Sequence, residues 1–146
     1  MKKKMEASMV TGEQLDTLLA EARKAADMAY VPYSKFRVGA ALLCKDGSIV
    51  VGCNVENRSY GLTICAERNA IAAAIARGKI KFEAVAISTP DSAEPVGPCG
   101  ACRQVLSEFM PPEAPIYFAG NGQKKINTTL GALIPLDSLH ELKEKS

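Results

Sequence analysis

Cys65-Ala66-Glu67-Arg68-Asn69-Ala70-Ile71-Ala72-Ala73-Ala74-Ile75-Ala76 is the stretch whose reading decides the fold. It is rich in helix formers and is stopped by Gly78, so it reads as a helix that opens on a cysteine and carries a carboxylate two residues later. Apolar runs flank it, Ile49 to Val55 before and Phe82-Glu83-Ala84-Val85-Ala86-Ile87-Ser88 after. A helix between two strands implies a crossover, and a parallel pairing is expected there. The first turn of a helix presents unpaired N–H groups and the positive end of the macrodipole. A cysteine in that position has its thiolate favoured, and a thiolate is what a metal binds.

Further along, Pro98-Cys99-Gly100-Ala101-Cys102 opens a second helical run, Arg103 to Phe109. A Cys-x-x-Cys pair with one distant cysteine supplies three ligands. That is one short of a closed structural zinc site and suits an open site whose fourth position holds water. A Cys-x-x-Cys opening a helix is also the pattern of a redox dithiol; Cys65, with Glu67 beside it on another helix start, favours the metal. Zinc lowers the pKa of a bound water from 15.7 to about 7 in a favourable site. Three thiolates weaken that effect through their negative charge, which two helix N-termini and Arg68 can offset. Glu67, near the metal but not bound to it, can take a proton from water and deliver it to a substrate nitrogen. Its alternative reading is a structural residue of the helix start. Cys44 and Cys53 lie inside apolar strand runs and are read as core.

The rest of the chain supports one mixed sheet. Leu15, Leu18, Leu19, Ala22, Ala25, Ala26 and Ala29 follow the helical period, with Thr11 as N-cap, Gln14 completing a capping box, and Pro32 ending the helix. Phe36 to Cys44 and Ile49 to Val55 read as a hairpin closed by Lys45-Asp46-Gly47-Ser48. Pro111-Pro112 stops the second cysteine helix, Ile116 to Ala119 is a fourth strand, and Gly120-Asn121-Gly122 turns into an antiparallel edge strand at Lys125 to Thr129. A short exposed helix follows from Asp137. The order αββαβαββα implies one mixed sheet with helices on its faces.

Composition narrows the function classes. The 146 residues suggest a single domain, and a net charge of +2 argues for neither nucleic acid nor membrane. Lys2-Lys3-Lys4 reads as a solvated basic cluster in a flexible tail over residues 1–10. No apolar run approaches bilayer length, and no apolar segment follows the lysines as a signal peptide requires. Five cysteines without such a signal suit a reduced, cytoplasmic protein better than a disulfide framework. The only histidine, His140, lies in a charged C-terminal segment, so the chemistry rests on thiolates and carboxylates.

Cys65-Ala66-Glu67-Arg68 and Pro98-Cys99-Gly100-Ala101-Cys102-Arg103-Gln104 resemble the cytidine deaminase signature. The resemblance runs from about Tyr30 to Pro135 and includes Tyr33-Ser34-Lys35-Phe36-Arg37-Val38-Gly39-Ala40-Ala41 and Gly52-Cys53-Asn54-Val55-Glu56-Asn57. It implies an α/β fold, a three-layer α/β/α sandwich around a five-stranded mixed sheet whose last strand is antiparallel. It also implies Cys65, Cys99 and Cys102 as ligands of one zinc per chain and Glu67 as proton shuttle. Arg68 would hydrogen-bond to a ligand sulfur. Asn54 and Glu56 would bind the ribose and Phe36 would pack near the pyrimidine, with Ala66 and Tyr60 also at the substrate. Family members of this length form homotetramers whose sites are completed by neighbours, the loop Arg58-Ser59-Tyr60 contributing. Relatives often carry a Phe shortly after the position of Pro135, covering a neighbour's site; Pro135-Leu136-Asp137-Ser138-Leu139-His140 has no aromatic.

The expected activity is hydrolytic deamination of cytidine and 2′-deoxycytidine to the uridine products, a step of pyrimidine salvage. A blasticidin-S deaminase-type enzyme is the nearest alternative, and Asn54-Val55-Glu56-Asn57 argues for a ribose diol instead. Deaminases of polynucleotides typically use His as first ligand and a parallel fifth strand, neither of which fits Cys65 and the Asn121-Gly122 turn. A zinc-stabilised binding module or redox protein would leave Glu67, Asn54 and Glu56 without a task.

Overall fold

The computed structural model describes residues 10–145. The proposed flexible tail therefore lies outside the described residues, apart from Val10, which packs against the first helix's apolar cluster. Helix α1 spans Gly12–Ala26 and begins as its sequence dictates. The Thr11 hydroxyl accepts from the Gln14 N–H at 3.1 Å, and the Gln14 side chain accepts from the Thr11 N–H at 2.9 Å. The helix ends before Pro32 is reached. The N–H groups of Asp27, Met28 and Ala29 turn back to carbonyls three residues earlier, and the Tyr30 N–H goes to the Asn54 carbonyl at 3.0 Å.

Five strands, β1 (Gly39–Cys44), β2 (Ile49–Cys53), β3 (Phe82–Ser88), β4 (Pro115–Ala119) and β5 (Lys125–Thr129), form one sheet in the order β2-β1-β3-β4-β5. The hairpin β1–β2 and the antiparallel edge strand β5 are as expected, and Gly47 takes the left-handed conformation, φ +91°, that the hairpin turn needs. The parallel pairing expected across α2 (Ala66–Ala76) is corrected. That helix carries the chain past β1, so β3 pairs with β1 antiparallel; the parallel pair is β3–β4, joined through α3 (Gly100–Phe109).

The sheet has helices on both faces, which is why its central strands read as unbroken apolar runs. Ala41, Leu43, Ala84 and Ala86 meet Leu15, Leu18 and Ala22 of α1 on one side. Ala40, Leu42, Val85 and Ile87 meet α2 and α3 on the other. Two glycines set how closely the layers approach. A Cβ on Gly39 would stand 1.9 Å from the Ala22 carbonyl oxygen, and one on Gly52 would stand 2.4 Å from the Ala70 nitrogen. Cys44 is core, as expected, whereas Cys53 is only partly buried, at the end of the edge strand β2.

Two short helices follow β5. The α5 helix, His140–Lys145, is the one expected from Asp137 but starts three residues later, and α4, Leu130–Leu133, is additional, with the Thr129 hydroxyl accepting from the Ala132 N–H. Four residues carry too little pattern to be read from sequence. The α2 and α3 crossovers start at the carboxyl ends of β2 and β3, so both helix N-termini come to one edge of the sheet, where ligands of open α/β sheets bind.

Candidate active site

Cys65 and Cys99 are the N-cap residues of α2 and α3, and Cys102 lies in the first turn of α3. Neither N-cap side chain accepts a hydrogen bond from a backbone N–H of its own helix, which leaves both sulfurs to face each other. The three sulfurs lie within 4.8 Å of one another, the one such cluster of potential metal ligands among the described residues. Cys65 and Cys99 Sγ are 3.8 Å apart. A tetrahedral ion with Zn–S bonds of about 2.3 Å separates its ligands by about 3.8 Å, so the donor set fits zinc.

The electrostatics of the sulfurs point the same way. The Cys102 thiol and the Arg68 guanidinium hydrogen-bond to Cys65 and hold its thiol down at about 5. Cys102 moves the opposite way, pushed up by the Cys65 thiolate and by burial. A divalent cation among the sulfurs would supply the positive charge that lets Cys102 ionise beside Cys65. Arg68 donates through Nη2 to Cys65 Sγ at 3.3 Å. Glu67, 4% exposed, lies one residue from Ala66, whose side chain is fully buried. Burial pushes the Glu67 carboxyl up to about 7, and the negative charge on Cys65 adds to the shift.

A second group of residues is held beside this cluster. The Asn69 side chain donates to the carbonyls of Cys53 at 2.8 Å and Ile64 at 3.4 Å, tying the end of β2 to the start of α2. Val55 bridges antiparallel to Ile64 and parallel to Tyr30. Asn54, 8% exposed, accepts from the Val38 N–H and donates to the Phe36 carbonyl, each at 2.9 Å. Asp91 accepts from the Arg37 N–H at 2.9 Å and clamps the Arg37 guanidinium through both carboxylate oxygens. Side chains therefore take the N–H groups of Phe36, Arg37 and Val38 and the Phe36 carbonyl, and the strand begins at Gly39. Glu56 accepts from the N–H groups of Tyr33 at 3.0 Å and Ser34 at 3.1 Å. Tyr60, 75% exposed, stands outside with its ring 6.0 Å from that of Tyr33.

Residues 12–118 match the family described as "Cytidine and deoxycytidylate deaminase zinc-binding region". The chain belongs to this deaminase family. The cytidine deaminase of Sporosarcina psychrophila is 48% identical over 121 residues, covering 83% of this chain and 88% of that one. That of Halalkalibacterium halodurans is 50% identical over 119 residues, covering 81% and 89%. Among solved structures, cytidine deaminase from Burkholderia pseudomallei superposes with a TM-score of 0.77 at 42% identity, over 81% of this chain and 94% of that one.

Membership makes the chain a zinc-dependent hydrolytic deaminase. Sequence reasoning singled out the thiols and Glu67 but gave no task to several residues that tie together the segments around the sulfur cluster. Ser34, Asn69 and Asp91 each bond to groups distant in sequence, which no local pattern reveals. Arg103 is similar: its side chain donates to the carbonyls of Pro98, at 2.8 Å, and Leu133, at 3.1 Å, fixing the residue before Cys99.

Proposed function

We propose that the chain hydrolyses cytidine and 2′-deoxycytidine to uridine and 2′-deoxyuridine with release of ammonia, as one cytoplasmic catalytic domain serving pyrimidine salvage. The observation that carries this reading is a buried carboxyl, Glu67, beside three converging sulfurs. Cys65, Cys99 and Cys102 would hold one zinc per chain, which when bound supplies the Lewis acidity that makes water a nucleophile near neutral pH. Glu67 handles the proton. With its pKa near 7 it takes one from the water and returns it to a pyrimidine nitrogen, the range in which a general acid–base works in both directions. The water oxygen replaces the exocyclic amino group, which leaves as ammonia.

The remaining residues bind and orient. Arg68 offsets the negative charge of the sulfurs. Phe36 packs beside the pyrimidine, and Ala66, its side chain buried, offers only its backbone. Asn54 still has one amide hydrogen and one lone pair beyond its two backbone bonds, and with Glu56 it reads the ribose. Tyr60 completes a neighbour's site in a homotetramer. The exposed apolar side chains Tyr30, Tyr33, Val55, Tyr60, Leu62 and Ile64 favour such an assembly.

A panel of cytidine, 2′-deoxycytidine, cytosine and blasticidin S, read by ammonia release alongside bound zinc, tests the reading. Turnover of the two nucleosides, with one ammonia per uridine product, is expected. Release from blasticidin S alone would transfer the chain to the analogue deaminases, and bound zinc without any turnover would leave a zinc-binding module.

A further inference from the structure

Glu56 sits in a socket whose parts come from one tight turn. Its Oε1 accepts from two successive backbone N–H groups, those of Tyr33 and Ser34, at 3.0 and 3.1 Å. Its Oε2 accepts from the Ser34 hydroxyl. That hydroxyl has one hydrogen, and its oxygen in turn accepts from the Phe36 N–H at 3.0 Å, which commits the hydrogen to Glu56. The turn is closed by the Lys35 N–H on the Val31 carbonyl at 3.0 Å. Lys35 is the one non-glycine residue with positive φ among the described residues, at 61°. The amides of Tyr33 and Ser34, just before that bend, converge on one carboxylate oxygen. The Ser34 hydroxyl beside Glu56 holds its carboxyl below the ordinary range, with the two backbone N–H groups helping, so the group is ionised.

A carboxylate oxygen offers about two lone-pair positions. Oε1 has both occupied, so a single acceptor position remains, on the oxygen that Ser34 holds. We propose that Ser34 is a positioning residue for the sugar: its hydroxyl fixes Glu56 Oε2 so that its one free lone pair meets a ribose hydroxyl. Through the Phe36 N–H it also keeps that lone pair in register with the side chain that packs on the base. This rests on the reading of Glu56 as the ribose-binding carboxylate. The Ser34 hydroxyl is engaged by Glu56 and the Phe36 N–H, so it acts on substrate affinity and leaves the chemical step alone.

The test compares cytidine with 2′,3′-dideoxycytidine, which lacks the ring hydroxyls, on the zinc-loaded full chain. Ser34→Ala should raise KM for cytidine about tenfold, the loss expected for a hydrogen bond to a charged group, with kcat within about twofold and zinc content unchanged. KM for the dideoxynucleoside should stay near that of the parent. Ser34→Cys, nearly isosteric and a weak donor, should behave like Ala, and Ser34→Thr, which keeps the hydroxyl, should restore KM. In a Glu56→Ala background the Ser34→Ala change should add nothing. Equal KM increases on both nucleosides, or losses that multiply in the double variant, would mean that Ser34 supports the fold and would overturn the proposal. A selective loss for Glu56→Ala with none for Ser34→Ala or Ser34→Cys would overturn it while leaving the role of Glu56 standing. No selective loss for Glu56→Ala would remove that role, and the proposal with it.

Discussion

Glu67 is where burial and charge meet most sharply, and its two roles separate experimentally. Glu67→Gln keeps the shape and the sulfurs, so zinc should remain while turnover falls by the ~10²–10⁴-fold typical of lost general acid–base catalysis. Ammonia release and metal analysis on one preparation check this. The same change has a pH signature in zinc-free protein. The folded carboxyl, at about 7 against an ordinary 4.5, holds its proton more tightly than the unfolded one. Burial thus costs nothing below pH 4.5 and increasingly more as the pH rises to 7. Denaturant titration should find Glu67→Gln as stable as the parent near pH 4.5 and more stable at pH 8, by up to about 3 kcal/mol. A sequence shows that Glu67 stands two residues from a thiol; the pKa depends on the burial and the Cys65 charge that only the folded chain supplies. Asn54 was legible as a polar residue after a strand. Its bonds to Phe36 and Val38 were not, since they span 18 and 16 residues.

At the level of elements, what could be read was whatever repeats locally. The capping box of α1, the seven residues of β3 and the edge strand β5 follow from short patterns and stand where those patterns put them. Strand order did not, because α2 crosses β1 without leaving a mark on its own sequence. The close approach of α1 to β1 at Gly39 gives a direct test. A methyl group there collides with backbone at 1.9 and 2.5 Å, and backbone cannot swing aside as a side chain can. Gly39→Ala should cost at least the ~1–3 kcal/mol of ordinary overpacking, measured as a loss of stability in denaturant. Gly61→Ala, with nothing within 4 Å of the new carbon, should leave stability within about 0.5 kcal/mol.

Across the whole molecule, the sulfur cluster joins two crossovers 34 residues apart in sequence. Replacing Cys65, Cys99 or Cys102 by Ala should lower bound zinc and activity together, whereas Cys44→Ala, in the core, should lower stability and leave zinc in place. Full zinc in all three site variants would refute the ligand assignment. Among the described residues no helix is long and apolar enough to cross a membrane. The N-cap side chains of α2 and α3 accept from none of the amides of their first turns, so the usual side-chain cap holds neither helix start. An ion gripping Cys65, Cys99 and Cys102 would pin both helix starts at once. Deuterium uptake at these two turns, though they belong to separate crossovers, should therefore slow in step on adding zinc and speed up in step on chelation.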